Sequence, residues 1–285
     1  MNRELSRWFC LHGRHSLPWR LTRDPYAVLV SEVMLQQTQV DRVLPYYHWW
    51  LERWPTVEVL AASSPAEVIR EWAGLGYNRR ALNLHRAAQT VVERHAGTFP
   101  RHLNTLRTLP GVGPYTAAAI ASFAFEQRVP LADTNIARVL ARTQLGLASN
   151  RGISASTLNA AAHRLLPARN ARDHNLALMD LGALVCTSRG PSCDTCPIRR
   201  HCAWHASGRP EPNATATPSP RFETTARYAR GRIIHALRIH PSLDEPSLAA
   251  LLPAHHHPNL STYLSALSRD GLVTLTPTGW SLPKS

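Results

Sequence analysis

The sequence predicts an all-α body with a small winged-helix-like unit behind it. Three observations carry that prediction. Apolar residues recur at three- and four-residue intervals through the first part of the chain, strand-like alternation is almost absent there, and the run GRPEPNATATPSP from Gly208 to Pro220 interrupts the pattern before a second set of periodic segments begins. With 285 residues, 44% of them hydrophobic, the chain has enough apolar material for a large core and an appendage.

The elements follow in order. Asp24 before Pro25 reads as an N-cap and first-turn proline, opening helical periodicity that runs from Val28 to Val43. Further helical stretches are expected over Ala66 to Trp72, Ala81 to Val92, Ala117 to Phe125, Thr134 to Arg142 behind the capping residue Asp133, and Leu158 to Leu166. Beyond the linker, helices are expected over Ala226 to Ile239, Pro246 to Leu251 and Leu260 to Asp270. Gly271 then turns the chain into the alternating Leu272-Val273-Thr274-Leu275. His255, His256 and His257 read as a solvated loop, because adjacent side chains point apart and cannot converge on one ion.

The formal net charge of +13 points to a polyanionic partner, since each arginine that neutralises a phosphate releases a condensed counterion. Lys284 is the only lysine, which a biased base composition would also produce, but such a bias leaves the sign of the charge standing. No run approaches the roughly 20 apolar residues of a membrane span. Nothing suggests export, and the chain reads as cytoplasmic.

Four of the five cysteines, Cys186, Cys193, Cys196 and Cys202, fall within seventeen residues as C-x6-C-x2-C-x5-C. Soft thiolates converging from one short segment can enclose a metal centre while the chain wraps once around it. Disulfides suit a cytosolic chain with the leftover Cys10 poorly. Zinc stays open on ligand type, although its usual pattern is two separated pairs. The expected occupant is a [4Fe-4S] cluster.

The stretch Leu109-Pro110-Gly111-Val112-Gly113-Pro114-Tyr115-Thr116 reads as the second half of a helix-hairpin-helix. Gly111 and Gly113 let the turn approach a phosphate, and Pro114 opens a helix whose free amides and positive end can hold it without reading a base. A tight turn between packed helices would look the same. Asp133 likewise could be a helix cap and no more.

Together, the hairpin, the aspartate beyond it and the four-cysteine loop resemble the helix-hairpin-helix DNA glycosylases related to endonuclease III, over residues 1 to about 205. Within that superfamily Ser31-Glu32-Val33-Met34-Leu35-Gln36-Gln37-Thr38-Gln39-Val40, Leu17-Pro18-Trp19-Arg20 and Gly74-Leu75-Gly76-Tyr77 closely resemble the adenine glycosylases of the MutY family. The resemblance implies a six-helix barrel over 24–135, an iron-sulfur domain from 1–23 and 136–206, a linker over 207–220 and the winged-helix-like unit over 221–285. It also implies a monofunctional enzyme of base excision repair, which flips out and removes adenine mispaired with 8-oxoguanine or guanine. The partner is mismatched or damaged double-stranded DNA, bound by a monomer at the bacterial nucleoid.

By the same resemblance Glu32 is the general acid, Asp133 the carboxylate beside the sugar and Tyr115 a hydroxyl partner near the reaction centre. Breaking an N-glycosidic bond leaves a poor purine anion and a cation-like sugar, so one group must protonate the base while a negative charge stabilises C1′. On a helix Glu32 shares its face with Val28, Leu29, Leu35 and Gln36, a setting expected to hold its pKa above the usual value of about 4.3. Asp133, at a helix N-terminus, is expected to stay ionised. Tyr115 stands where bifunctional relatives carry a Schiff-base lysine, so efficient strand cleavage is not expected. Gln37 and Tyr77 match the wedge residues that fill the stack after a base leaves it, and Trp19, Arg20, Gln36 and Asn135 complete the implied DNA and base contacts.

Two departures bear on substrate. Leu176 stands where many relatives carry a Gln or Glu able to touch the adenine edge, and the winged-helix-like ending replaces a longer, strand-rich domain that recognises 8-oxoguanine. Weaker selectivity for the oxidised partner is expected. Two other readings stay open. One is a thymine or uracil glycosylase acting at mismatches with guanine, which Gln36-Gln37-Thr38 disfavours. The other is a noncatalytic DNA-binding protein whose winged unit, with Arg227, Arg230, Arg232 and Arg238, carries the function; Glu32 and Asp133 together argue against it.

Overall fold

The computed structural model describes residues 1–210 and 220–284, so most of the expected linker lies outside the described residues. The helices are α1 (Asn2–His12), α2 (Pro18–Leu21), α3 (Pro25–Met34), α4 (Val40–Arg53), α5 (Val57–Ala61), α6 (Pro65–Glu71), α7 (Arg79–His95), α8 (Leu103–Leu106), α9 (Pro114–Phe123), α10 (Thr134–Gln144), α11 (Ala155–Leu165), α12 (Ala171–Leu184) and α13 (Ala203–Ala206). Beyond the linker come α14 (Ala226–Ile239), α15 (Glu245–Ala250) and α16 (Leu260–Arg269), then the strands β1 (Thr274–Thr276) and β2 (Gly279–Ser281). The expected all-α architecture stands, with this antiparallel hairpin as the one small sheet among the described residues. None of the described helices is long and apolar enough to cross a membrane.

Two compact units divide the chain. The first holds Met1–Leu29, Arg101–Arg107 and the chain from Val112 to the linker; the second holds Val30–Pro100, Thr108–Gly111 and the chain beyond the linker. In the first, α10 packs closely on α12 at Gly182, where a Cβ would stand 2.7 Å from the Cβ of Asn135 and 2.8 Å from its carbonyl oxygen. Asp180, fully buried on α12, receives Arg14 at 2.7 Å and Arg20 at 2.6 Å, which ties the N-terminal segment to that helix.

In the second unit Trp50, Trp54 and Trp72 pack ring against ring, with centroids 4.5 and 5.3 Å apart. The C-terminal helices do not form a separate core. Ile233, Ile234 and Leu237 of α14 and Leu264 and Leu267 of α16 are buried together with Ala66 and Ile69 of α6 and Leu82 of α7. Each such aliphatic side chain removed from water contributes about 1.5–3 kcal/mol. Arg238 adds polar ties, donating to the Ile69 carbonyl at 2.9 Å and to Asn78 Oδ1 at 2.8 Å.

Local expectations fared unevenly. The helix expected through Val28 to Val43 is broken at Leu35–Gln39, and α9 stops at Phe123. Leu272 and Val273 are buried ahead of the strand rather than in it. Of the three histidines His255 and His257 are exposed, as a solvated loop would have them, but all three lie in a 3-10 turn, Ala254–Asn259, where His256 is buried. Its Nε2 donates to the Glu223 carbonyl at 2.8 Å, leaving Nδ1 to accept the Tyr263 hydroxyl at 3.0 Å.

Candidate functional site

Glu32 lies on α3 near its C-terminal end, only 8% exposed, along a helix whose Val28, Leu29, Val30, Val33 and Met34 are all buried. A surface glutamate it is not. After Met34 the chain leaves the helix and Gln37 takes φ +57, so that Gln37 is exposed while Gln36 is half-buried.

The break is made by a distant side chain. Arg80, buried on α7, donates through Nη1 to the carbonyls of Val33 (2.7 Å), Met34 (3.0 Å) and Gln36 (2.6 Å), oxygens that the end of a helix leaves without amide partners. Through Nη2 it reaches Thr38 Oγ1 at 3.3 Å, the Leu75 carbonyl at 2.9 Å and the Gly76 carbonyl at 3.2 Å. One guanidinium therefore binds the turn that carries Gln37 to the loop that carries Tyr77. Burial pushes its pKa down to about 10. That loop takes φ +89 at Gly74, +71 at Gly76 and +46 at Tyr77, and the tyrosine is 40% exposed. Arg80 was not foreseen, though a signal existed: it shares the buried stripe of α7 with Leu84, Ala87, Ala88 and Val91. Gly111 also belongs to this unit; its φ is +75, and a Cβ would stand 2.7 Å from that of Asn83.

In the first unit Asp133 caps α10. Its Oδ1 accepts the Ile136 amide at 2.7 Å and its Oδ2 accepts Asn135 Nδ2 at 3.1 Å. The expected effect of the helix N-terminus is outweighed: burial raises the carboxyl above its usual 3.8 despite these donors. Asn135 Oδ1 accepts Arg138 Nη2 at 2.9 Å, so both ends of that amide are used inside the protein. Arg138 continues to the carbonyls of Gly182 (2.6 Å) and Cys186 (2.7 Å), linking the carboxylate's neighbour to the cysteine loop.

Tyr115 is half-buried in the first turn of α9, behind Pro114 and the N-cap Gly113. Gly113 is exposed, with nothing within 4 Å of where a Cβ would stand, which leaves room for close approach of a phosphate. Trp19 and Arg20 are both buried on α2, and the guanidinium of Arg20 is committed to Asp180 at 2.6 and 2.7 Å. Leu176 is buried on α12; its polar neighbour Asn175 donates to Ser122 Oγ at 3.0 Å and to the Val129 carbonyl at 2.9 Å.

Cys186, Cys193, Cys196 and Cys202 line one cavity together with Arg142, Ile198 and Trp204, and none forms a disulfide. Burial, with the other three sulfurs adding, pushes the Cys196 thiol up to about 11. Four ionised sulfurs would repel one another there, so the donor set suits a cationic centre that compensates them. Among the described residues no set of three or more His, Cys, Asp or Glu side chains is arranged to hold a metal ion, and what unites the four cysteines is the cavity they share. Arg142 donates to Cys186 Sγ at 3.3 Å and lies 4.6 Å from the ring centroid of Trp204.

Residues 30–165 match the model of the HhH-GPD superfamily of base excision DNA repair proteins. The chain is 44% identical to an adenine DNA glycosylase of Mycolicibacterium smegmatis over 236 residues, covering 82% of this chain and 79% of that protein. To an adenine DNA glycosylase of Mycobacterium tuberculosis it is 43% identical over 285 residues, covering 98% and 92%. The chain belongs to the adenine DNA glycosylase family. The M. tuberculosis match takes in the C-terminal unit of this family member, whereas the human adenine DNA glycosylase, 45% identical over 208 residues, shares 70% of this chain and 38% of its own length. Among solved structures, a thermostable thymine-DNA glycosylase superposes with a TM-score of 0.67 at 30% identity, over 72% of this chain and 95% of that one. Endonuclease III trapped on DNA gives 0.63 at 22% identity, over 73% and 94%, and shows that the fold is shared.

Proposed function

We propose that this chain is a monofunctional DNA N-glycosylase of base excision repair, which extrudes adenine mispaired with guanine or 8-oxoguanine and hydrolyses its glycosidic bond. The reading is carried by the retention of two carboxylates in unlike settings, Glu32 on the apolar α3 and Asp133 at the head of α10, in a chain 43–45% identical to adenine DNA glycosylases. Glu32 donates a proton to the departing base, and ionised Asp133 stabilises the positive charge at C1′. Tyr115 offers a hydroxyl near the reaction centre and no amine for a Schiff base, so the strand stays intact. Gln37 and Tyr77 fill the opened stack, Gln36 and Trp19 contact the DNA, and Asp180 fixes the guanidinium of Arg20. The exposed Gly111 and Gly113, with the first amides of α9, hold a backbone phosphate.

The cysteines would hold a [4Fe-4S] cluster, whose iron would neutralise four half-buried thiolates and so shape the loop bearing Arg189, Arg199 and Arg200. The kinship with bacterial repair enzymes supports a place in the cytoplasm, on nucleoid DNA. A second reading, excision of thymine or uracil opposite guanine, is favoured by the likeness to the thymine-DNA glycosylase.

One panel decides between them: duplexes with A, T or U opposite G, and A opposite 8-oxoguanine, followed by alkaline cleavage of abasic sites. Adenine release, abolished in Glu32→Gln and Asp133→Asn and leaving no borohydride-trapped adduct, is expected. Release of pyrimidines alone would select the second reading. The protein should be brown, absorbing at about 400 nm; a colourless protein with stoichiometric zinc would overturn the cluster.

A further inference from the structure

Rings and guanidiniums alternate through five side chains of the second unit. Arg80 lies 5.3 Å from the ring centroid of Trp72 and 5.6 Å from that of Tyr77; Arg227 lies 5.3 Å from that of Tyr77 and 4.8 Å from that of Phe222. Arg227 also donates to the Tyr77 hydroxyl. The series starts at fully buried Trp72 and ends at Tyr77 and Phe222, which are 40% and 47% exposed.

Its outer two members come from beyond the linker. Phe222 begins a 3-10 turn, Phe222–Thr224, and Arg227 stands in the first turn of α14. That helix is held firmly: Ala229, Ile233, Ile234 and Leu237 are in the core shared with Ala66, Ile69 and Leu82, and Arg238 donates to Asn78, the residue after Tyr77. Arg227 is therefore delivered from a rigid element. Tyr77 needs such support, because a bulky side chain at φ +46 sits in a backbone region it disfavours.

We propose that Arg227 of the C-terminal unit is a positioning residue for Tyr77, which, backed by Phe222, holds the tyrosine ring ready to enter the base stack. The inference rests on the reading of Tyr77 as the wedge. A guanidinium between two rings keeps both aligned. The C-terminal unit thereby acts in opening the duplex without touching the extruded base.

The test follows extrusion by the fluorescence of 2-aminopurine placed opposite guanine, beside single-turnover adenine excision from an A·G duplex. Arg227→Ala should reduce extrusion about fivefold or more, raising the DNA concentration for half-maximal excision more than it lowers the plateau rate. Arg227→Lys should not rescue it, since an ammonium keeps the charge but not the planar stacking. In Tyr77→Ala the further change Arg227→Ala should add nothing. Full rescue by lysine, or defects that simply multiply, would make Arg227 a phosphate contact and overturn the proposal. So would impaired extrusion in Tyr77→Ala with none in Arg227→Ala. Normal extrusion in Tyr77→Ala would instead overturn the wedge reading beneath it, and absence of adenine excision by the wild-type protein would overturn the proposed function. Arg227 is exposed and outside the core, and thermal unfolding of each variant beside its activity separates loss of fold from loss of extrusion.

Discussion

Arg80 donates to the main-chain oxygen of Gln36 at 2.6 Å, and the same guanidinium holds the main chain of the tyrosine loop. Replacing it by methionine keeps most of the volume and removes every donor, which strands the buried carbonyls of Val33, Met34 and Leu75. The expected cost is about 3 kcal/mol in denaturant unfolding. Arg80→Lys should recover only part, because one ammonium cannot serve both loops. Base extrusion should fall further than affinity for undamaged duplex, and equal losses in the two would show that the guanidinium supports the fold without aligning the wedge.

What the sequence made legible depended on locality. The helix Ala226–Ile239 matches its expectation residue for residue, because Ile233, Ile234 and Leu237 recur at helical spacing within it. The turn after Met34 was not: Leu35 and Val40 continue the apolar rhythm, no glycine or proline interrupts it, and the group that ends the helix lies 44 residues beyond Gln36. The same holds at the candidate site. Glu32, Asp133 and the cysteines stand out through residue type and motif, whereas Arg80 shows only as an arginine on the apolar stripe of α7, and the partners of Arg80, Arg138 and Arg227 lie too far along the chain for any local pattern to name them. Asp133 shows the limit from another side, since its helix cap was visible in sequence and the burial that opposes its ionisation was not.

Asp180 is the sole acid in a buried cluster with two arginines, Arg14 and Arg20. Burial opposes its ionisation, but hydrogen bonds and charge from Arg20, then Arg14, outweigh it and hold the carboxyl below its usual 3.8. Its folded value being lower than its unfolded one, the pair's stability is present above pH 3.8 and lost as the pH falls further. Asp180→Asn leaves Arg20 buried without a counter-charge and should cost about 3–5 kcal/mol at neutral pH. A loss below about 1 kcal/mol in urea unfolding would mean that solvent reaches the guanidinium.

Gly182 is required by closeness, since its backbone is of an ordinary helical kind. An alanine Cβ would meet Asn135 Cβ at 2.7 Å and the Asn135 carbonyl oxygen at 2.8 Å, atoms that cannot turn aside. Gly182→Ala should separate α10 from α12 at a cost of about 1–3 kcal/mol. Asn135 donates to Asp133 at 3.1 Å, so the displacement reaches the carboxylate. The rate of adenine release under saturating enzyme should therefore drop even at temperatures where the variant is fully folded; an unchanged rate would separate the packing of these helices from the chemistry.

His174 sits buried on α12, and its Nε2 has no hydrogen-bond partner among the described residues. Burial lowers its pKa from 6.5 to about 4. Between those values the unfolded chain binds a proton that the folded chain refuses, so stability is whole above pH 6.5 and declines as the pH falls toward 4. A shift of this size corresponds to about 3 kcal/mol at most. His85 is lowered by burial as well, but its Nε2 is bonded to the Ser63 carbonyl at 2.9 Å, and its own contribution has the same sign. In His174→Asn the melting temperature should fall less steeply with acid than in the wild-type protein, while part of the slope persists from His85. Parallel curves for the two proteins across pH 4 to 6.5 would mean that the folded state takes up the proton at His174, with water reaching the ring through local opening of α12.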